Sequence, residues 1–264
     1  QVEPWGWDLA LRSFLLRHGV PATAMPSEEQ ISAVRELSHR SYAVGLLREL
    51  QGPATVGQSW CAETLDEVEC LVATQGRTVV KAPWSSSGRG IRFVDGELSE
   101  YHQRWVNNVI ARQGSVIVEK YCDKVKDFGM EFESDGNGGA RYLGLSLFHT
   151  QNGAYAGNIL ATEDEKLEMI SRYVSKDTLM SVQQDICHRL GLLYRDRYKG
   201  PFGVDMMIVR GDDNVGFFLN PCVEINLRRT MGHVALSLAN RFPSCSVMGL
   251  DFSEGRYHLR VRRR

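Results

Sequence analysis

The sequence predicts an α+β fold with two sheets, in which amphipathic helices interleave with antiparallel hairpins. Three observations lead there. Residues 128–134 and 140–148 are β-favouring runs on either side of Asp135-Gly136-Asn137-Gly138, a strong hairpin signal. A second such pair, G-V-D-M-M-I-V-R and P-C-V-E-I-N-L-R, flanks the turn residues Gly211-Asp212-Asp213-Asn214. Between and before these hairpins, apolar residues recur at helical spacing behind capping signals.

Taken in order, residues 5–20 carry a helical pattern that stops at Gly19. Ser27-Glu28-Glu29-Gln30 has capping-box form and opens a second helix. A third begins at Ser38-His39-Arg40, with Tyr42, Leu46, Leu47 and Leu50 as its buried stripe. Thr64 caps the next, which Gly76 closes. Residues 77–82 read as a strand, 96–114 as a span holding a helix, and 115–121 as another strand. After the first hairpin, residues 150–158 read as a Gly/Asn/Gln-rich loop leading to an acidic stretch at 163–168. A helix from about Asp177, ending at Gly191, leads into the second hairpin, and a last helix covers about 231–241.

At 264 residues and 43% hydrophobic, the chain can bury a sizeable core. A net charge of −1 offers no basic footprint for nucleic acid, and no apolar run suits a membrane span. Five arginines fall in residues 256–264, read as a solvated or truncated tail. Cysteines at 61, 70, 122, 187, 222 and 245 form no C-x-x-C pair and lie in apolar segments, which implies buried, reduced thiols in a cytoplasmic protein. Seven histidines show no metal-ligand spacing. The chain opens on Gln1 rather than methionine, so an upstream part is expected.

Two constellations carry chemistry. Asp205 lies in the first strand of the second hairpin, and Glu224 and Asn226, two apart on the other strand, share one face. Three oxygen-bearing side chains on neighbouring strands suit Mg2+, which takes one or two carboxylates plus substrate phosphates. Alone, E-x-N fits an ordinary hairpin with a polar face equally well. About 120 residues upstream, Lys81 ends an apolar strand and is followed by Ser85-Ser86-Ser87-Gly88-Arg89-Gly90. A lysine suits phosphate as a point charge, and a small-residue loop lets backbone N–H groups approach phosphate oxygens. The loop by itself reads more readily as a surface loop. It is neither a P-loop nor a kinase glycine loop, since the lysine precedes it.

In this order the pieces resemble the ATP-grasp superfamily over residues 38–240. The resemblance implies two α+β subdomains holding ATP between them, preceded by the helical remnant of a further domain: 1–37, 38–117 and 118–264. It implies ATP and Mg2+ (or Mn2+) as cofactors, and an ADP-forming ligase that joins a carboxylate to an amine or thiol through an acyl phosphate. By the same resemblance Arg40 and Lys81 contact ATP, and Ser85, Ser86, Ser87 and Gly88 belong to the loop over its phosphates. Glu119, Lys120 and Tyr121 meet the adenine, and Asp127 the ribose. Asp205, Glu224 and Asn226 match the metal ligands, with Arg228 beside the transferring phosphate or substrate carboxylate. A nucleotide binder without turnover and a phosphotransferase of the same fold are the rival readings.

Plainer roles stand beside these. Glu119 and Lys120 also fit a polar strand end, and Asp127 a turn cap. Cys222, Trp5, Trp7 and Trp84 read as packing, and His233 as a structural helix-start residue. His149, Asn152, Tyr155 and Asn158 are solvated loop residues or part of an acceptor site.

Overall fold

The computed structural model describes residues 4–85, 90–151, 154–211, 216–242, 244 and 246–263. Three helices lead the chain: α1 (Leu9–Arg17), α2 (Glu28–Leu37) and α3 (Ser41–Glu49). Asp8 caps α1, so residues 5–7 stay outside the helix that the apolar spacing predicts from residue 5. Ser27 and Gln30 close the expected capping box of α2.

A first antiparallel sheet contains β1 (Ser59–Ala62), β2 (Arg77–Lys81), β3 (Ile91–Asp95) and β4 (Val116–Lys120), in the order β1-β4-β2-β3. Between its strands run α4 (Leu65–Gln75) and α5 (Glu100–Gln113), which bury Val68, Val72, Val106 and Val109 against Ala62, Val80 and Val118. The short strands β1 and β3 have no counterpart in the sequence reading. They complete the sheet by pairing with β4 and β2 respectively.

The second sheet is larger. Its strands are β5 (Lys124–Ser134), β6 (Ala140–Ser146), β9 (Gly200–Arg210) and β10 (Phe217–Asn226), ordered β10-β9-β5-β6. One face carries Phe128, Met130, Phe132, Phe202, Val204 and Ile208, packed on Leu179, Val182, Ile186 and Leu190 of α7 (Lys176–Leu193) and on Leu46 and Leu47 of α3. Alternation sends Asp127, Gly129, Gly203 and Asp205 to the opposite, polar face. Helix α7 continues past Gly191, where the expected stop falls. Gly191 instead lets the helix approach the β5–β6 turn, because a Cβ there would lie 2.8 Å from the Gly138 carbonyl oxygen.

A third sheet corrects the expectation of two. Where a loop is expected over 150–158, β7 (Phe148–Gln151) and β8 (Ala154–Leu160) pair as a hairpin, with 152–153 outside the described residues. This hairpin joins β11 (Ser246–Ser253) and β12 (Arg256–Arg262) in the order β12-β11-β8-β7. The arginine-rich stretch forms, over Arg256–Arg262, a solvent-exposed edge strand, with Arg260 paired to Asp251 at 2.5 Å. The acidic stretch forms α6 (Glu163–Ser171), and α8 (Met231–Leu238) follows β10. Cys61 and Cys70 are exposed, contrary to the expectation that the cysteines are buried. No helix among the described residues is long and apolar enough to cross a membrane.

Candidate active site

The β9–β10 register places the acidic residues. Arg210 faces Phe217, and of the expected turn residues between them Asp212, Asp213 and Asn214 lie outside the described residues. Further along, Asn220 faces Met207 and Glu224 faces Asp205. Pro221, Cys222 and Val223 thus stand where β9 offers only Met206, a bulge at the proline that lacks a ladder N–H. The bulge sets Asp205 and Glu224 directly opposite each other on the polar face.

A chain of contacts leads outward from Asp205. Asn226 Nδ2 donates to Asp205 Oδ2 at 3.0 Å, and Arg228 donates to Asn226 Oδ1 at 2.8 Å. The Asp205 carboxyl is pushed up to about 8, first by burial and then by the carboxylates of Glu224 and Glu131. Asn226 and Arg228 offset this only in part. Such a donor set, two facing carboxylates and an amide, fits a hard divalent cation. No larger group of three or more His, Cys, Asp and Glu side chains gathers for a metal among the described residues.

Arg40 ties the first and second sheets to each other. Standing at the start of α3, it donates to the Ala82 carbonyl at 2.7 Å, to Ser85 Oγ at 2.7 Å and to Glu224 Oε1 at 3.0 Å. The residue is buried, yet its Nε–H has no acceptor among the described residues. Lys81, also buried, pairs with Glu119 across β2 and β4 at 2.7 Å. Cys222 reports how close these groups come. Its core thiol is pushed up by burial and feels the charges of Glu119, Asp205, Lys81 and Glu224. The expectation that Cys222 is packing holds.

Of the loop after Lys81, Ser85 and Gly90 are described, whereas Ser86, Ser87 and Gly88 lie outside the described residues. The loop's ends are drawn together by a bond from Ala82 N to Gly90 O, 2.8 Å. Only glycine fits at position 90, since a Cβ would fall 2.4 Å from Ser85 Cβ.

The remaining predicted residues lie around this centre. Asp127 shares the polar face with Asp205 but is held by Lys124 Nζ at 2.7 Å and Thr150 Oγ1 at 2.9 Å. Tyr121 lies at the outer end of β4 with the Arg77 guanidinium 4.0 Å above its ring, and Lys120 is exposed. Trp84 packs: its indole donates to the Arg35 carbonyl and its ring meets His39 edge-on. Asn158 is buried in the third sheet and donates to Ser146 Oγ, Tyr155 donates to Asn158, and Asn152 lies outside the described residues.

Sequence reading missed Glu131. This carboxylate is buried on the polar face, 3.0 Å from His233 Nδ1 and 2.8 Å from Thr230 Oγ1, a donor to it. The N-terminus of α8 seats onto it, so His233 is structural as expected, and its capping box with Thr230 is formed. The signal was in the alternation Asp127, Gly129, Glu131, which puts all three on one face.

No family model and no curated protein matches the sequence. Solved structures do. An N5-carboxyaminoimidazole synthetase from Staphylococcus aureus complexed with ADP is 15% identical, with a TM-score of 0.51. A biotin carboxylase from Campylobacter jejuni in complex with β,γ-ATP is 16% identical over 91% of this chain, with a TM-score of 0.54. A D-cycloserine synthetase is 17% identical over 88% of this chain, with a TM-score of 0.50. This chain spans 58% of the synthetase from Staphylococcus aureus and 56% of the biotin carboxylase. At such low identity, what these likenesses establish, together with the α+β arrangement above, is architecture: the chain has the ATP-grasp fold.

Proposed function

We propose that the chain forms the nucleotide-binding core of an ATP-dependent, ADP-forming ligase that activates a carboxylate as an acyl phosphate for attack by an amine or thiol. One observation supports this above the rest. Arg40, Glu224, Asp205, Asn226 and Arg228 form one connected group beside the Lys81–Glu119 pair. A simple nucleotide binder needs fewer of these charged groups in contact.

Each residue then has a task that its chemistry suits. Lys81 and Arg40 hold the phosphates of ATP, and Ser85 adds a hydroxyl donor from the loop that excludes water. Glu119, Lys120 and Tyr121 line the adenine end, and Asp127 takes the ribose hydroxyls. Held by Asp205, Glu224 and Asn226, magnesium or manganese would supply positive charge against the triphosphate. The substrate carboxylate oxygen attacks the γ-phosphorus, the bond to the β–γ bridging oxygen breaks, and ADP leaves. Arg228 steadies the developing charge on the transferred group. An amine or thiol next attacks the acyl carbon and expels phosphate. The setting is cytoplasmic, with ATP and its two organic substrates as partners.

The test uses the full-length protein with ATP, magnesium and a mixed pool of amino acids, small peptides and carboxylates. ADP and phosphate are expected to appear only when an acceptor is present, and hydroxylamine to trap the activated carboxylate as a hydroxamate. Asp205→Asn and Glu224→Gln are each expected to abolish turnover without lowering the melting temperature. Lys81→Ala is expected to weaken ATP binding at least tenfold, about 1.4 kcal/mol. AMP and pyrophosphate as products would replace this mechanism by adenylation. ATP that binds but never turns over would establish the binder, and transfer to a non-carboxylate acceptor the phosphotransferase.

A further inference from the structure

The third sheet ends in a two-stranded ribbon that is exposed over most of its length. β8 pairs with β11 only at Ser246, Val247 and Met248. β11 and β12 stay paired much further, from Val247 facing Arg262 to Ser253 facing Arg256. Glu254 and Gly255 close the ribbon with positive φ of 54° and 73°, as the mirror-image two-residue hairpin turn requires. Beyond Gly249 the ribbon therefore has no third strand, and a lone hairpin is marginally stable in water.

Register gives the ribbon two unlike faces. On one, Leu250 faces Leu259 and Phe252 faces Tyr257, whose rings pack with centroids 4.9 Å apart. Phe252 and Tyr257 are nevertheless 65% and 75% exposed. At the root this stripe runs into Met248, buried in a small core with Leu160 and Ala235. The other face holds Arg256, His258, Arg260 and Arg262. Its one carboxylate, Asp251, answers Arg260 at 2.5 Å and Arg262 at 3.9 Å, and Arg256 forms no ion pair among the described residues. From Ser246 onward the sequence sets five arginines against two acids, in a chain whose net charge is −1.

We propose that the free edge of β12 is a docking site for an extended segment of a partner protein in which acidic and apolar residues alternate. No strand lies beyond β12 among the described residues, so every second residue presents its N–H and C=O outward as a template for one more strand. A strand added there continues both faces at once. Its acidic side chains fall beside the arginines, and its apolar ones beside Tyr257 and Leu259. A bilayer would take the apolar face alone and leave the arginines on the far side. A second copy is opposed by charge, because antiparallel self-pairing that keeps apolar against apolar also sets basic against basic. Guarding the edge against aggregation accounts for the arginines but not for the open apolar stripe. This surface shares no residue with the nucleotide contacts and does not depend on the ligase reading.

The test titrates the 264-residue chain with end-blocked, fluorescently labelled peptides at neutral pH and low salt. One peptide alternates glutamate with valine, a second alternates lysine with valine, and a third holds the residues of the first in two blocks. By fluorescence anisotropy the alternating acidic peptide is expected to bind saturably, and at least about tenfold more tightly than the other two. Methylating its backbone amides should abolish binding, since the added strand then cannot pair. Arg256→Glu combined with Arg262→Glu should lose about tenfold for the acidic peptide and gain affinity for the lysine peptide, with the melting temperature unchanged. Tyr257→Ser should weaken the acidic peptide without touching charge. No saturable binding, equal affinity for the alternating and block acidic peptides, or binding that survives methylation overturns the proposal. So does the lack of any response to the double charge reversal. Phosphatidylserine-containing vesicles that sediment the chain while no peptide binds would replace the partner strand by a membrane surface. A dimer that Tyr257→Ser dissociates, again without peptide binding, would replace it by a second copy.

Discussion

His39 shows how one side chain sets the geometry of the site. Its Nδ1 accepts from the Ser41 N–H at 3.1 Å, which satisfies an exposed donor of the first turn of α3 and holds the preceding Arg40 in place. Burial, and next the adjacent Arg40 charge, depress the imidazole below its ordinary value. A lowered histidine is neutral in the fold. Its contribution is fully present above the unfolded value near 6.5 and is lost as pH falls through the folded value. Protonation also removes the lone pair that accepts from Ser41. The melting temperature is therefore expected to fall as pH drops from 7.5 to 5. In His39→Asn that fall should be shallower, because an amide oxygen keeps the bond and does not titrate. Parallel melting curves for the two proteins across this range would rule out His39 as the source.

At the scale of elements, α8 and the polar face of the second sheet fit through missing side chains. A Cβ on Gly232 would come 1.8 Å from Glu131 Oε1 and 2.5 Å from Ser146 Oγ. The carboxylate cannot step aside without breaking its bonds to Thr230 and His233. Gly232→Ala is accordingly expected to cost about 1–3 kcal/mol, the range for overpacking a tight site. Urea denaturation would measure it, and a loss under 0.5 kcal/mol, the scatter of ordinary surface changes, would refute the seating of α8 on Glu131. The bulge at Pro221 acts on the same sheet from the other side. Without it, the register set by Arg210 and Phe217 would carry on, and Glu224 would no longer face Asp205.

At the scale of the whole molecule, the cores beneath the first and second sheets are of unequal substance. The first sheet rests on a small cluster dominated by valine and alanine, and the second on Phe128, Phe132, Phe202 and Tyr194 with α3 and α7. Arg40, the backbone bonds of Ala54 and Val56 to Leu219, and the chain at Asp123 connect them. Less apolar area buried means a smaller opening free energy. Amides of β2 and β4 are thus expected to exchange through a lower-energy opening than those of β5 and β9. Arg40→Gln should hasten the first set and leave the second unchanged. Hydrogen exchange read by mass spectrometry checks this, and a common opening energy for both sheets would disprove it.

What the sequence determined by itself is what neighbours in the chain decide. The caps at Ser27 and Thr64, the hairpin at 135–138, and the shared face of Glu224 and Asn226 follow from local backbone chemistry. Tertiary structure alone decided the third sheet, because β8 pairs with β11 across an interval that no local pattern encodes. It alone buried Glu131 beneath α8, and it alone brought Arg40 to Glu224, 184 residues apart. These contacts rest on whether distant surfaces fit and whether a buried charge finds its partner. Both are properties of the packed whole, and a charged residue reads the same in sequence whether it ends in solvent or in the site.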